Sequence, residues 1–252
     1  GSYLGSENFG NKEKGTHTLP WGVPGLEEYH GDSIFLTEAL TLKTKDALDK
    51  ALELKKPFYL YMAHYAVHIP LMADMRFYQK YIDMGLPESE AKYSSMIEGM
   101  DKSLNDLMNY LDDKGIADNT IVLFMSDNGG FSLRPRAGEQ HTHNKPLNSG
   151  KGSAYEGGIR EPMIVKWPGK VKPKTKCDDY LIIEDFFPTI LEMAGVSDYE
   201  TVQAIDGKSF VPMLMQTGTT AEGRNLYWHF PNNWGPTGPG IGATSTVRSG
   251  DW

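Results

Sequence analysis

The residues best suited to chemistry lie at the two ends of one polar loop. Asp127 and Asn128 follow the apolar run IVLFM, and Lys151 stands between two glycines where the loop returns. Carboxylate and amide oxygens suit a hard cation such as calcium or magnesium better than zinc. The same D-N-G-G stretch is also typical of a turn, because Asn and Gly tolerate positive φ. Lys151 is a candidate anion ligand or, equally, an ordinary surface lysine.

Histidines form the second candidate group. His64 and His68 follow the aromatic run FYLYMA. An imidazole at the end of a strand can act as a general acid toward a leaving oxygen, or it can simply hydrogen bond to the backbone. His141 and His143 lie in the polar loop without further ligands nearby in the sequence, and we assign them no metal.

Composition excludes several classes of protein. The 252 residues carry a net charge of -8, with no basic stripe that would neutralise nucleic-acid phosphates. Cys177 is the only cysteine, so no internal disulfide can form. No apolar run reaches the roughly 20 residues of a membrane span. Composition leaves the oligomeric state open.

The elements that must position these residues follow from hydrophobic patterning. Asp32 or Ser33 is expected to cap a helix that ends before Pro57. A second helix is predicted from about residue 88 to 114, with Gly115 at its C-terminus. Its predicted apolar face contains Met96, Met100, Leu104, Leu107 and Leu111. A shorter helix is predicted over 184–194 and is closed by Gly195.

The predicted strands define the fold class. FYLYMAHYAVHIP and TIVLFMSD are expected as buried strands, and MIVKW is a third candidate strand. Their alternation with helices favours an α/β fold with a mostly parallel sheet. Ligands of such sheets collect beyond the carboxyl ends of the strands, so His68, Asp127 and Asn128 should share one edge. RNLYWHF and ATSTVRS predict a small antiparallel unit. We therefore predict a catalytic domain over 1–220 and the beginning of a second subdomain over 221–252.

Four blocks in order resemble one known family. YAVHIP, SDNGG, NKPLNSGKGSAYEGGIREPMIVKWPG and DDYLIIEDFFPTILEMAG closely resemble the type I sulfatases of the alkaline-phosphatase-like superfamily. The match runs across most of the chain, and four linked motifs are far more specific than any one of them. The resemblance implies an alkaline-phosphatase-like sheet sandwiched by helices and a calcium-dependent sulfuric ester hydrolase.

The resemblance also implies roles for five residues. Asp127 and Asn128 match the family's calcium ligands, with calcium expected rather than magnesium. Lys151 matches the lysine that contacts the sulfate group and the bridging oxygen. His68 matches the histidine that binds sulfate and can protonate the departing alcohol. His229, in LYWHFP, corresponds to a C-terminal histidine that lines the substrate pocket in some relatives.

Several parts of the family pattern are missing: the nucleophile motif, the early aspartate pair for calcium, and the second lysine and histidine. Sulfatases use a formylglycine, made from the first residue of C/S-x-P/A-x-R, whose hydrate attacks sulfur. Cys177 is followed by Asp178 and Asp179, and Ser132 in SLRPR has arginine where proline or alanine is needed. We expect this chain to be the middle and later part of a longer sulfatase, inactive by itself; the alternative is a degenerate relative. Asn148 stands where relatives often carry arginine.

The expected substrates are sulfated glycans or aryl sulfates, and the resemblance favours a periplasmic or secreted location. Two alternatives stay open: a phosphoesterase or phosphonate hydrolase of the same superfamily, and a non-catalytic protein that binds sulfated glycans. In the second case Tyr65, Phe131, Trp228 and Trp234 would be candidate stacking surfaces for sugar rings. The loops 131–150 and 231–242 are expected to determine which sugar is accepted.

Overall fold

The computed structural model describes residues 23–29, 32–132, 138–233 and 235–252. Within these residues the helices are α1 (Leu36–Glu53), α2 (Tyr78–Asp83), α3 (Glu88–Asp113), α4 (Glu156–Ile159), α5 (Phe186–Met193) and α6 (Val211–Leu214), with 3-10 helices at Glu27–Tyr29, Ala117–Asn119 and Ile183–Asp185. The strands are β1 (Val122–Met125), β2 (Met163–Lys166), β3 (Asn225–Phe230) and β4 (Thr244–Ser249). The described residues include no helix with the length and apolar character that a membrane span requires.

The chain divides into two compact units after Ala117. In the first unit, α1 confirms the first predicted helix but begins later than expected. Its N-cap residue is Phe35, which makes no side-chain cap hydrogen bond. The predicted cap at Asp32 or Ser33 is therefore wrong. Leu36, the first helical residue, is buried in an apolar cluster with Leu26, so apolar packing determines where this helix begins.

Helix α3 confirms the second predicted helix, but it buries a different face. Met96 and Leu111 are buried as expected, whereas Met100, Leu104 and Leu107 are only half-buried. The other buried positions are small and four residues apart: Ala91, Ser95, Gly99 and Ser103. Residues at this spacing lie in one row along a helix. The small row allows close contact with α1, where Thr41 Oγ1 lies 2.6 Å from Ser103 Oγ.

A buried ion pair lies against the same row of small residues. The Asp74 side chain is 1% exposed and accepts hydrogen bonds from Arg76 Nε at 2.9 Å and Arg76 Nη2 at 2.6 Å. Ser95 Oγ accepts a hydrogen bond from the Asp74 backbone amide at 3.1 Å. Arg76 also pairs with Glu38 of α1. A buried carboxylate is tolerated only when it is paired in this way, so the Asp74 side chain has little freedom to move.

The aromatic run after Pro57 differs from its prediction. Residues 57–65 have no regular secondary structure and belong to neither sheet among the described residues. Tyr59 is 72% exposed and Tyr61 is 80% exposed, and they alternate with the half-buried Leu60 and Met62. Alternating exposure is typical of an extended segment with only one covered face. The predicted burial on both faces is therefore wrong.

The second unit, Asp118–Trp252, contains two antiparallel ladders. Strand β1 pairs with β2, with Val122 opposite Lys166 and Met125 opposite Met163. Strand β3 pairs with β4, which confirms the predicted antiparallel unit at the end of the chain. Every ladder in the described part of the chain is antiparallel, so a mostly parallel sheet is not visible there. The order of strands and helices along the chain did not reveal that β1 would pair with the next strand.

Asp185 is a buried residue at the centre of a hydrogen-bond network in the second unit. Its carboxylate is fully buried and accepts hydrogen bonds from the backbone amides of Ile182 at 3.0 Å and Lys208 at 2.8 Å. Arg224, which is 10% exposed, donates to the same carboxylate at 2.8 Å. The Thr189 hydroxyl donates to the Asp185 carbonyl at 2.6 Å. This network joins α5 to the segment before α6 and to the residue that precedes β3.

Gly99→Ala tests the packing of α3. Alanine improves helix propensity by about 1 kcal/mol, but a Cβ at this position would lie 2.5 Å from Asp74 Oδ2. Overpacking of this kind costs about 1–3 kcal/mol, and the paired Asp74 cannot easily move away. We expect a net decrease in the free energy of unfolding, measured by urea denaturation. Asn109→Ala, at an exposed position of the same helix, is the control, and stabilisation by Gly99→Ala would contradict this account.

Candidate functional site

The loop after β1 presents Asp127 and Asn128. The Ser126 hydroxyl donates to the Asn128 carbonyl at 2.9 Å, where the backbone bends after β1. Asn128 Nδ2 donates to Asp127 Oδ1 at 2.6 Å, so the two side chains lie together. None of Asn128, Gly129 and Gly130 has the positive φ that a turn interpretation of D-N-G-G expects. Another constraint must therefore explain the two glycines.

That constraint is the close contact between two backbone segments, one at Gly129 and the other at Gly157–Gly158. The Gly129 amide donates to the Gly158 carbonyl at 3.1 Å. A Cβ on Gly129 would overlap the Gly157 carbonyl oxygen, and a Cβ on Gly157 would overlap the Asn148 carbonyl oxygen. Both glycines are needed because nothing larger than hydrogen fits between the segments. The glycine pair at 129–130 and the glycine pair at 157–158 are thus parts of one packed structure.

Lys151 is tied to the same loop. Its backbone amide donates to the Gly130 carbonyl at 3.1 Å. The preceding Gly150 is buried, and a Cβ there would lie 2.5 Å from Ser132 Oγ. Within the part of the chain that the structure describes, no carboxylate forms an ion pair with the Lys151 ammonium group. The structure therefore brings Lys151 beside the loop that carries Asp127 and Asn128.

Asn144 holds these two segments together, and sequence reasoning gave it no role. Its Nδ2 atom donates to the Gly130 carbonyl and to the Ser149 carbonyl, both at 2.9 Å. Ser149 is fully buried and has a φ of 64°, a left-handed conformation that is uncommon outside glycine. The only signal in the sequence was the position of Asn144 at the beginning of NKPLNSGKG.

Glu161 is a second residue that sequence reasoning missed. Asp127 follows β1 by two residues and Glu161 precedes β2 by two residues, so both lie at the end of the ladder where Met125 pairs with Met163. Glu161 Oε1 is buried without a hydrogen-bond partner. Burial, followed by the charge of Asp127, raises the pKa of Glu161 to about 7. The signal was present in GGIREP, but only the strand pairing shows that it lies at the same end of the ladder as Asp127.

The side chains around Asp127 offer the oxygen ligands that a hard cation prefers. Asp127 and Glu161 are carboxylates, Asn128 supplies an amide, and the buried Glu161 oxygen has no hydrogen bond to satisfy it. The described ranges contain no group of three or more His, Cys, Asp or Glu side chains that could hold a metal. The residues present are therefore suitable but do not complete a calcium shell by themselves.

His68 lies in the first unit, in the segment that follows α1. Its backbone amide donates to the Tyr65 carbonyl at 2.9 Å, which forms a turn after the aromatic run. The side chain is exposed, and Nδ1 lies 2.8 Å from the Ile69 carbonyl oxygen. This contact requires Nδ1 to carry the proton, so the other ring nitrogen, Nε2, is an acceptor in the neutral imidazole.

His229 lies on the exposed face of the β3–β4 hairpin, where Nδ1 is 2.8 Å from Ser245 Oγ. The hairpin is joined to α4 by Arg248, which donates to Glu156 at 2.9 Å and lies over the Tyr180 ring at 3.4 Å from the ring centre. Cation–π and ion-pair contacts of this kind fix the orientation of an arginine. The hairpin is thus attached to the helix that follows Lys151.

The loop before β4 also contacts the Lys151 segment. The Ala154 amide donates to the Gly240 carbonyl at 3.0 Å, and the Ser153 hydroxyl donates to the Pro239 carbonyl at 2.9 Å. Both loops that were expected to select the sugar, 131–150 and 231–242, therefore reach the surroundings of Lys151, although residues 133–137 and 234 lie outside the described part. Among the aromatic candidates, Tyr65 is exposed, Phe131 and Trp228 are half-buried, and Trp234 lies outside the described residues.

Known proteins share both the sequence and the fold. The family model described as Sulfatase matches residues 4–196. The chain is 32% identical over 226 residues to a sulfatase of Formosa agariphila, covering 84% of this chain and 38% of that protein. It is 31% identical over 218 residues to the N-acetylgalactosamine-6-sulfatase of Homo sapiens, covering 80% of this chain and 39% of that protein. The chain thus spans less than half the length of these curated relatives.

The structure resembles the crystal structure of Ps i-CgsB in complex with k-i-k-neocarrahexaose. The TM-score is 0.72 and the identity 28%, and the match covers 85% of this chain and 44% of that one. This similarity confirms the predicted alkaline-phosphatase-like fold at the level of the fold family.

Burial of His64 should make the free energy of unfolding depend on pH. Its Nδ1 atom is buried without a hydrogen bond, and burial lowers its pKa. The folded pKa lies below the value of about 6.5 expected in the unfolded chain. The unfolded state therefore binds more protons as the pH falls through and below 6.5, and stability present at higher pH is lost. We expect the free energy of unfolding from urea titrations to decrease between about pH 7 and pH 5.

Replacing His64 by leucine should reduce this pH dependence because the titrating group is removed. His229→Gln, at an exposed histidine, serves as the control and should retain the pH dependence of the wild type. Equal pH dependence in the wild type and in His64→Leu would show that His64 does not contribute.

Proposed function

Because this chain belongs to the sulfatase family, we propose that the protein containing it is a sulfuric ester hydrolase. The observation that carries this proposal is the hydrogen bond from the Lys151 amide to the Gly130 carbonyl, which places a lysine beside the loop of Asp127 and Asn128. A sulfate group carries negative charge on several oxygens, so a site with a lysine on one side and a bound cation on the other matches its charge.

The proposed substrates are sulfated glycans, with aryl sulfates as the simpler alternative. One relative is an N-acetylgalactosamine-6-sulfatase, and Ps i-CgsB was crystallised with k-i-k-neocarrahexaose. Another similar structure is described in connection with the metabolism of glycosaminoglycans, with a TM-score of 0.64 and 27% identity. A carbohydrate substrate is consistent with the two loops around Lys151, because sugar rings need extended polar and aromatic contacts.

Lys151 and His68 are the proposed catalytic residues. Cleavage of the ester bond leaves growing negative charge on the departing oxygen, and a proton donor there lowers the barrier. We assign Lys151 to the sulfate group and the bridging oxygen, and His68 to sulfate binding and, in its imidazolium form, to protonation of the alcohol through Nε2. His229 is proposed to line the substrate pocket. With water as the second reactant, the products are the free alcohol and hydrogen sulfate.

Calcium is the proposed metal, with Asp127 and Asn128 as ligands. When bound, calcium would neutralise charge on the sulfate oxygens. The fit of the residues rests on their oxygen donors and on the buried Glu161 oxygen, which has no hydrogen-bond partner and whose carboxyl group is influenced by the charge of Asp127. Magnesium suits the site less well, because it usually retains several waters and demands a strict octahedral geometry.

The nucleophile is proposed to be a formylglycine outside these residues, since the sequence contains no C/S-x-P/A-x-R motif. A polypeptide of only these 252 residues should therefore release no sulfate. We also propose that the complete protein is periplasmic or secreted.

Two finer features of the architecture are proposed as well. One is the mostly parallel sheet of the complete catalytic domain. The other is the division of this chain into a catalytic part, 1–220, and the beginning of an antiparallel subdomain, 221–252.

Lys151→Ala tests the central assignment. Removing one electrostatic donor from a transition state typically costs about a hundredfold or more in rate. We expect kcat/KM for a sulfated oligosaccharide to decrease by about that factor in the full-length protein, measured by ion chromatography of released sulfate. Lys170→Ala, at an exposed turn after β2, is the matched control, and an equal effect of the two variants would remove Lys151 from the mechanism.

Chelation tests the metal. Treatment of the full-length protein with a chelator should abolish sulfate release, and calcium should restore it more effectively than magnesium. Asp127→Asn should increase the calcium concentration needed for half-maximal activity, because it removes a charged ligand. Full activity of protein shown to be metal-free by elemental analysis would refute the calcium assignment.

Comparing a sulfate ester and a phosphate ester of the same alcohol separates the related activities. Faster turnover of the phosphate ester would assign the protein as a phosphoesterase instead. Binding of a sulfated glycan, without release of sulfate by the full-length protein, would support the non-catalytic alternative.

A further inference from the structure

We propose that Asn144 is a positioning residue that holds Lys151 in register with the loop of Asp127 and Asn128. This inference rests on the proposed function, because it concerns the same site. Both N–H groups of the Asn144 amide are used, one toward the Gly130 carbonyl and one toward the Ser149 carbonyl, each at 2.9 Å. Asn144 therefore has no remaining donor for a substrate, and its effect must pass through the segments that it joins.

One carbonyl group connects Asn144 to Lys151. The Gly130 carbonyl oxygen accepts a hydrogen bond from Asn144 Nδ2 at 2.9 Å and from the Lys151 amide at 3.1 Å. A carbonyl oxygen has two lone pairs, so both bonds can form at once. The backbone of Lys151 and the loop after β1 are thus held at the same acceptor atom, two residues beyond Asn128.

The second hydrogen bond acts two residues before Lys151. Ser149 is fully buried and adopts a φ of 64°, and such a conformation persists only when its surroundings hold it in place. Its carbonyl oxygen receives the second Asn144 N–H at 2.9 Å. The left-handed residue directs the chain into Gly150 and Lys151, so fixing Ser149 also fixes the direction in which the chain reaches Lys151.

Packing prevents the amide from adopting another orientation. A Cβ on Gly130 would lie 2.7 Å from Asn144 Oδ1, and a Cβ on Gly150 would lie 2.6 Å from Asn144 Nδ2. The amide therefore lies between two glycines that leave no free space around it. An aspartate has almost the same shape, but its second oxygen would face two carbonyl oxygens and could donate to neither.

Removal of the Asn144 side chain should lower the catalytic rate by displacing Lys151, without changing the charge of the site. Displacement of a reacting group by about 1 Å can cost on the order of a hundredfold in rate. If Asn144 acts through Lys151, its removal should have no further effect once the Lys151 side chain is absent.

A double-mutant cycle in the full-length protein tests this inference. The variants are Asn144→Ala, Lys151→Ala and the combination of both, with kcat and KM measured for release of sulfate from a sulfated oligosaccharide. We expect Asn144→Ala to lower kcat/KM by about 10-fold to 100-fold, and the double variant to match Lys151→Ala. Multiplication of the two single effects, or an unchanged Asn144→Ala, would overturn the proposal.

Two additional variants keep the test decisive. Asn144→Asp should be impaired like Asn144→Ala despite its similar shape, whereas Asn144→Ser, which retains one donor, should recover part of the rate. If Asn144→Ala fails to fold, Asn144→Ser is used for the test instead. Full wild-type activity in a folded Asn144→Ser, with activity also retained in Asn144→Asp, would contradict the proposal. Asn109→Ala, at an exposed helical position, is the control for general effects of removing an asparagine.

A measurement without substrate separates this inference from the proposed function. If the wild-type protein releases no sulfate, the proposed function fails. Asn144 is then judged by hydrogen exchange of the Lys151 backbone amide, which the Gly130 carbonyl protects. Faster exchange in Asn144→Asp than in the wild type, at equal global stability, supports the proposal, and unchanged exchange overturns it.

Discussion

The close approach of two backbone segments is the constraint on which the candidate site depends. Gly129 contacts the Gly157–Gly158 pair so closely that its amide donates to the Gly158 carbonyl at 3.1 Å and no Cβ can be accommodated. Because side chains are excluded from this contact, backbone hydrogen bonds and one inserted amide, that of Asn144, determine the geometry. The position of Lys151 is therefore a property of the backbone, which is more rigid than a position set by packing of long side chains.

Charge is distributed around this rigid contact in a way that favours ligands of both signs. Asp127 and Glu161 both lie at the same end of the β1–β2 ladder, and burial together with the charge of Asp127 raises the pKa of Glu161 to about 7. A bound cation would relieve the repulsion between the two carboxylates. Lys151 approaches from the opposite segment and suits an anion. Oxygen donors and an ammonium group thus lie on neighbouring segments of one small region.

Much of the secondary structure could be predicted from the sequence, because hydrophobic periodicity and glycine caps are local signals. Helix α3 and its terminal Gly115, β1, β2, helix α5 and the β3–β4 hairpin all lie where they were predicted. The buried faces were harder to predict. Helix α3 buries its small residues because the Asp74–Arg76 ion pair lies against Gly99, and no periodicity of apolar residues encodes such a polar neighbour.

The sequence by itself determined the family and the types of residue at the candidate site, because the motifs around Asp127 and Lys151 are contiguous and specific. Only the tertiary structure decided which residues support them. Asn144 and Glu161 were marked in the sequence only by their places in NKPLNSGKG and GGIREP, since their importance arises from the Gly130 carbonyl and from the pairing of β1 with β2. Local sequence patterns report on local conformation, whereas a hydrogen bond across 14 residues or the effect of one carboxylate on another depends on how distant segments meet.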